Sequence, residues 1–212
     1  MRAHVTGDAA VVLDAAGAFL RAKPVEHNLL LTLLGQREAN PEPGCYAWAA
    51  DASDEVCGVL FLSPLSFFAT LSPMPLAATD ALVAEIVDVV PDLRGVAGVA
   101  ATSAAFAGAW ATRRRTPAHP DEGQRLYRLT TLVAPAAVAG AARQATGDDA
   151  DLLNEWAAAF AFEVGEDAPP GRQFLASRRV FVWDHDGESR CMVGATSAIA
   201  GVARIGPVYT PP

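Results

Sequence analysis

Cysteine is scarce in this sequence. Cys45, Cys57 and Cys191 are odd in number, far apart and in no metal-binding spacing. A disulfide framework and a cysteine-built metal centre are therefore not expected, and the pattern suits a reducing, cytoplasmic setting. Positive charge is also short. Sixteen Lys and Arg face twenty-four Asp and Glu, a net charge of −8. Nucleic-acid backbones select basic surfaces, so no nucleic-acid partner is expected. The one basic run, Arg113-Arg114-Arg115, reads as a solvated helix end, where cations suit the dipole. Long apolar runs are missing too. The uncharged run 95–112 is mostly Ala, Gly, Ser and Thr, which gain little in lipid. It reads as a buried strand followed by a helix, and no membrane partner is expected. Asp8 and Asp14 interrupt the apolar start, so no secretory signal is expected. There is no Gly-x-Ser-x-Gly, no Walker loop and no Gly-x-Gly-x-x-Gly opening a helix after a strand.

What is present is a chain of 212 residues, 51% hydrophobic, long enough for one large or two small cores. Thr6-Gly7-Asp8 predicts a helix start with Thr6 as the cap, and Val12, Ala16, Phe19 and Leu20 follow at helical spacing. A second helix is expected over 26–36, with Leu29, Leu30, Leu33 and Leu34 on its apolar face. Strands are expected over 45–50 and 56–62 around the polar turn Asp51-Ala52-Ser53-Asp54. Residues 67–71 could be another strand. A helix is expected over 79–90, with Leu82, Ile86, Val89 and Val90 on one side. A short strand over 96–101, a helix over 103–113 and a strand over 125–133 follow, then a linker over 134–142.

The pattern then restarts. Thr146-Gly147-Asp148-Asp149 resembles a capping box, and Leu153, Trp156, Phe160 and Val164 give the next helix one apolar face. A short helical piece is expected over 172–177, a strand over 180–183, a turn at Asp184-His185-Asp186-Gly187 and a return strand over 190–196. Thr6-Gly7-Asp8 matches Thr146-Gly147-Asp148, and at the same offset Ala10, Leu13 and Ala18 match Ala150, Leu153 and Ala158. Trp48 and Gly58 are spaced like Trp183 and Gly194. Two copies of one α/β (α+β) unit are expected to superpose with Trp48 over Trp183. One would span 1–133, the other 134–212, with the second cut short.

The last stretch, 194–212, reads as two strands joined by a turn of small residues and closed by Thr210-Pro211-Pro212. Two prolines remove backbone donors and end strand pairing. A strand ending Val-Tyr-Thr-Pro-Pro, late in an α/β pattern, resembles the fourth strand of the GNAT superfamily of acyl-CoA N-acyltransferases. The resemblance covers most of the chain as an order of elements, and only this stretch as motif. It implies a mixed, mostly antiparallel sheet flanked by helices, in two tandem copies, and a cytoplasmic enzyme moving an acetyl group from acetyl-CoA to a small-molecule or peptide amine. In that family the fourth strand offers its edge to the pantetheine arm. That role would fall on the backbone of Val208, Tyr209 and Thr210. The family's pyrophosphate loop, Arg/Gln-x-x-Gly-x-Gly/Ala, would come after Pro212, so this chain is expected to transfer no acyl group by itself. A non-catalytic GNAT-like binding module is the alternative.

Neither half supplies that loop. Residues 72–77, SPMPLA, hold two prolines and no glycine, so they cannot present a row of N–H donors. Arg94-Gly95-Val96-Ala97-Gly98-Val99-Ala100 has a related composition at the wrong spacing and reads as turn plus strand. The strands 190–196 and 202–209 contain no carboxylate for a general base. Glu163 and Glu166 follow the Trp156 helix and could line an acceptor pocket, although a helix end more often leaves them solvated. His185 reads as a surface histidine, and Tyr209 is on the wrong element for the family's tyrosine acid. No catalytic residue and no metal ligand is assigned. Apolar residues of the last strands, Val193, Ile199, Val202, Ile205 and Val208, are expected to be partly exposed and to favour self-association.

Overall fold

The computed structural model describes residues 1–165 and 179–212. The chain forms two compact units, Met1–Arg128 and Leu129–Pro212. Each has its own mostly antiparallel sheet, and together the described residues form a mixed α+β fold with five α-helices.

The first unit runs β1 (Arg2–Thr6), α1 (Ala9–Ala22), α2 (Asn28–Ala39), β2 (Cys45–Ala50), β3 (Val56–Leu62), β4 (Ala69–Leu71), α3 (Leu76–Ile86), β5 (Val96–Ala97) and α4 (Ala100–Arg114). Its strands lie in sequence order. β1 to β4 pair antiparallel, and β5 joins β4 in parallel after the α3 crossover. Side-chain alternation divides the sheet into two faces. Cys45, Ala47, Ala49, Leu60, Leu62 and Leu71 form one core with Leu82, Val83 and Ile86 of α3 and Phe106 of α4. The small Ala47 and Ala49 leave room for α3. Tyr46, Trp48, Val59 and Phe61 point the other way, toward the side where α1 and α2 meet β2 and β3.

Several local expectations change. The α1 cap is Asp8, whose carboxylate accepts from the Ala10 N–H at 2.9 Å, while Thr6 Oγ1 accepts from the Asp8 N–H one step earlier. Helix α2 passes through Gly35 and ends at Ala39. Its buried leucines are Leu30, Leu31 and Leu34, and Leu29 is exposed. Helix α3 ends at Ile86, which leaves Val89 in solvent. The turn plus strand read over 94–100 is present, but its strand, β5, is only two residues long instead of running to Ala101, because α4 begins at Ala100. Residues 125–133 form no strand, because no sheet edge among the described residues pairs with them. β1 stands where no strand is expected. Its five residues are mostly polar and are held by pairing with β2 from Arg2↔Ala50 to Thr6↔Tyr46.

The second unit begins with β6 (Ala141–Gln144), inside and just beyond the expected linker. A 3-10 turn, Gly147–Asp149, leads into α5 (Ala150–Val164). Gly165 closes α5 in the left-handed region at φ 72°, which a residue without Cβ adopts easily. β7 (Arg179–His185), β8 (Glu188–Ala195) and β9 (Ile205–Tyr209) complete an antiparallel sheet ordered β6-β7-β8-β9. The expected helical piece over 172–177 lies outside the described residues. Leu153, Trp156 and Ala157 of α5 bury one sheet face with Val180, Val182, Met192 and Tyr209. Val164, expected on that helix face, is exposed. Both units thus open strand then helix, and both continue with three sequential antiparallel strands. Trp48 alternates with Ala47 and Ala49 of the core shared with α3, and Trp183 alternates with Val182 of the core shared with α5.

One polar clamp pins the second unit's first turn. Thr146 and Asp149 form a reciprocal capping box. Arg143 reaches Asp149 through two 2.7 Å hydrogen bonds and Asp184 through Nε at 2.6 Å, while Ser189 donates to Asp184 at 2.7 Å. Donation from Arg143, then from the Thr146 N–H, holds the Asp149 carboxyl well below the usual range. Donation from Ser189, then Arg143, lowers that of Asp184. A carboxyl with a depressed pKa stabilises the fold above its unfolded value of about 4, and that contribution is lost as pH falls through the folded value. Amides of α5 should therefore lose hydrogen-exchange protection as pH drops below about 4, after correction for intrinsic exchange. Asp149→Asn should flatten that dependence, and Thr146→Ala should cost about 1 kcal/mol at neutral pH. Identical pH profiles for the native chain and Asp149→Asn would contradict the clamp.

Candidate functional site

Among the described residues β9 is the last strand of its sheet, after β8. Its path is set by β8. Met192 pairs with Tyr209, Val193 with Val208 and Ala195 with Ile205, with an irregularity between Val193 and Ala195. The reversal from β8 to β9 is held by the Ile199↔Val202 bridge and by Thr196, whose Oγ1 accepts from the Arg204 N–H at 3.0 Å. Alternation sends the Tyr209 ring into the core beneath α5 and leaves the Val208 side chain exposed. Thr210 follows the strand and is exposed. The three residues expected at a cofactor edge are thus adjacent, and one of them anchors the others through its ring.

That ring makes a second contact. The Tyr209 hydroxyl donates to Glu163 Oε1 at 2.8 Å, and the Phe160 ring meets the tyrosine edge-on at 6.0 Å between centroids. Glu163 lies in the last turn of α5 with its residue exposed. The hydrogen bond to Glu163, then burial, raises the Tyr209 phenol above its ordinary range, so the phenol stays neutral and donates at neutral pH. The arrangement provides a carboxylate oriented by one hydroxyl and open to solvent on its other lone pairs, beside the end of an edge strand. Such a group can hold an ammonium or accept a proton. In the sequence the two residues look unrelated. Forty-six positions separate them, and only the fold brings them together. Glu166 lies outside the described residues.

The other candidates are occupied structurally. Residues 72–77 lead into α3 with two of their donors used: the Ser72 N–H donates to the Val59 carbonyl, and the Met74 N–H reaches Thr102 Oγ1 at 3.4 Å. A Cβ on Gly98 would lie 3.0 Å from the Leu71 carbonyl oxygen, a tight approach. Arg94 turns its guanidinium to the Ser66 carbonyl at 3.3 Å. No side chain among the described residues caps the start of α4. His185 sits 3.7 Å from Asp186 in the β7–β8 turn. Glu188 extends β8 beyond the expected strand and pairs with Arg190 at 2.7 Å, so the carboxylate in that strand is already matched. Burial pushes the Cys45 thiol up to about 11, which leaves it protonated and unreactive. Among the described residues no cluster of His, Cys, Asp and Glu could hold a metal, and no helix is long and apolar enough to cross a membrane.

Compared with protein-family models, curated proteins and solved structures, the chain matches none.

In a spectrophotometric titration Tyr209 should ionise above the ordinary tyrosine range. Glu163→Gln should bring the Tyr209 transition down, because a neutral amide no longer favours the protonated phenol. Tyr209→Phe should remove the high transition and lower the stability of the second unit, since the hydrogen bond to α5 is lost. An unchanged titration in Glu163→Gln would show that burial alone sets the phenol.

Proposed function

We propose that the chain is built from two tandem GNAT-like units and that its chemistry is acyl-CoA-dependent transfer to an amine, with the backbone of Val208, Tyr209 and Thr210 receiving the pantetheine arm. The observation that carries this reading is the place of β9, the last of three sequential antiparallel strands after a helix and the terminal strand of its sheet among the described residues. A strand edge binds an extended amide-bearing arm as it would bind another strand. The element order of the first unit, with β4, a helix and a parallel β5, supports the same family resemblance. Glu163, oriented by Tyr209, is the group best placed to meet an acceptor ammonium and take up its proton. The first unit serves as scaffold, since residues 72–77 hold two prolines and no glycine where a phosphate loop needs free N–H groups.

A binding module without catalysis is the second reading. The observation favouring it is that β9 leads into Pro211 and Pro212, which carry no N–H for a pyrophosphate. Neutral backbone bonds to pantetheine contribute roughly 0.5–1.5 kcal/mol each, whereas charge-assisted phosphate bonds contribute roughly 1.5–3. Forgoing two of the latter lowers affinity by roughly 10²–10⁴-fold. The net charge of −8 adds no attraction for an anionic cofactor.

Calorimetric titration of these 212 residues with acetyl-CoA should therefore give a dissociation constant on the order of millimolar. Micromolar binding would contradict this and direct attention to residues 94–100. Absence of any binding at several millimolar would remove the acyl-CoA reading.

A further inference from the structure

Residues 113–140 are exposed throughout. A solvated connection is ordinarily polar. This one holds Leu126 at 72% exposure, Tyr127 at 80%, Leu129 at 75%, Leu132 at 75% and Val133 at 85%. Five large apolar side chains so close together exceed the scattered exposure of an ordinary surface and mark a place of contact. The same stretch is basic. Arg113, Arg114 and Arg115 stand at the end of α4, and Arg125 and Arg128 lie among the apolar residues. Against them stand only Asp121 and Glu122, so residues 113–133 carry +3 and leave −11 for the rest of a chain at −8. Among the described residues none of the five arginine side chains has a hydrogen bond or an ion pair.

We propose that residues 113–133 bind the surface of a bilayer rich in anionic phospholipids. The five apolar side chains would lie at the level of the headgroups, and the arginines against lipid phosphates. The interleaving of the two kinds of side chain selects this partner. A nucleic acid would engage the arginines, but its phosphate backbone offers nothing to Leu129, Leu132 or Val133. A neutral apolar groove would engage the leucines and leave unpaired charges at its rim. A membrane interface takes both at once: apolar side chains bury at the acyl boundary while cations stay among the headgroups. Tyrosine, with an apolar body and a polar tip, suits the same depth. Such attachment requires no spanning helix, and among the described residues there is none. Repulsion of the acidic remainder falls off within about 8 Å at physiological salt, so the charge nearest the lipid decides.

Vesicle sedimentation of the 212-residue chain is the test, and with no acyl-CoA present it does not depend on that reading. The chain should pellet with vesicles of equal parts phosphatidylserine and phosphatidylcholine, and stay in solution with phosphatidylcholine alone. Each cation at an anionic surface contributes roughly fivefold to partition, so an Arg125→Gln, Arg128→Gln variant should bind roughly 20–30-fold more weakly. A Leu126→Ser, Leu129→Ser, Leu132→Ser variant should also bind more weakly, at unchanged charge. All five positions are exposed and outside every helix and strand, so circular dichroism should show both variants folded. A native chain that ignores anionic vesicles, equal binding to both vesicle types, or undiminished binding by either variant would overturn the proposal. Equally strong binding of polyuridylate that the leucine variant retains would show a general anion site and overturn it. A native chain that dimerises without lipid and protects residues 126–133 from exchange would show that a second copy covers the run, and overturn it too.

Discussion

The ring of Tyr209 fixes nearly everything at the second unit's edge. It is buried beneath α5 with Met192, Val182 and Trp156, and its hydroxyl ties the strand to the last turn of that helix at Glu163. A terminal strand would otherwise fray or drift in register. One side chain therefore sets where the Val208 and Thr210 backbone is offered and how the Glu163 carboxylate is aimed. Removing the ring would loosen the edge and the carboxylate together.

The two units finish their sheets differently. In the first, β4 continues through α3 into a parallel β5, which ends that sheet. In the second, β9 follows β8 antiparallel and is the last strand of its sheet among the described residues. The clamp of Arg143, Asp149 and Asp184 serves a different purpose: it holds β6, the start of α5 and the β7–β8 turn together, which keeps the α5 end near Tyr209.

Elements with a strong periodic signal are legible in the sequence. β2 and β3 alternate around a turn whose Asp51 carboxylate accepts from the Ser53 and Glu55 N–H groups. The α5 start at Thr146 is equally clear, because its capping box is local in sequence. β1 and β6 are not legible. RAHVT and AARQ are short and polar, and become strands only by pairing with β2 and β7. Residues 125–133 show the converse, a strand pattern that pairs with neither sheet among the described residues. The similar Trp-to-Gly spacing points to related hairpins, and in the fold each tryptophan alternates with core residues of its own unit, Trp48 with Ala47 and Ala49 and Trp183 with Val182. The Glu163–Tyr209 pair is hidden for another reason: each residue looks ordinary in its own segment, and the hydrogen bond exists only after α5 packs on the sheet.

The most direct measurement is residue-resolved hydrogen exchange of dilute chain with and without several millimolar acetyl-CoA. If β9 receives the pantetheine arm, protection should rise at the amides of Val208, Tyr209 and Thr210 and stay unchanged at 98–102, where α4 begins. Protection at 98–102 with none on β9, or no change at either place, would contradict the assignment.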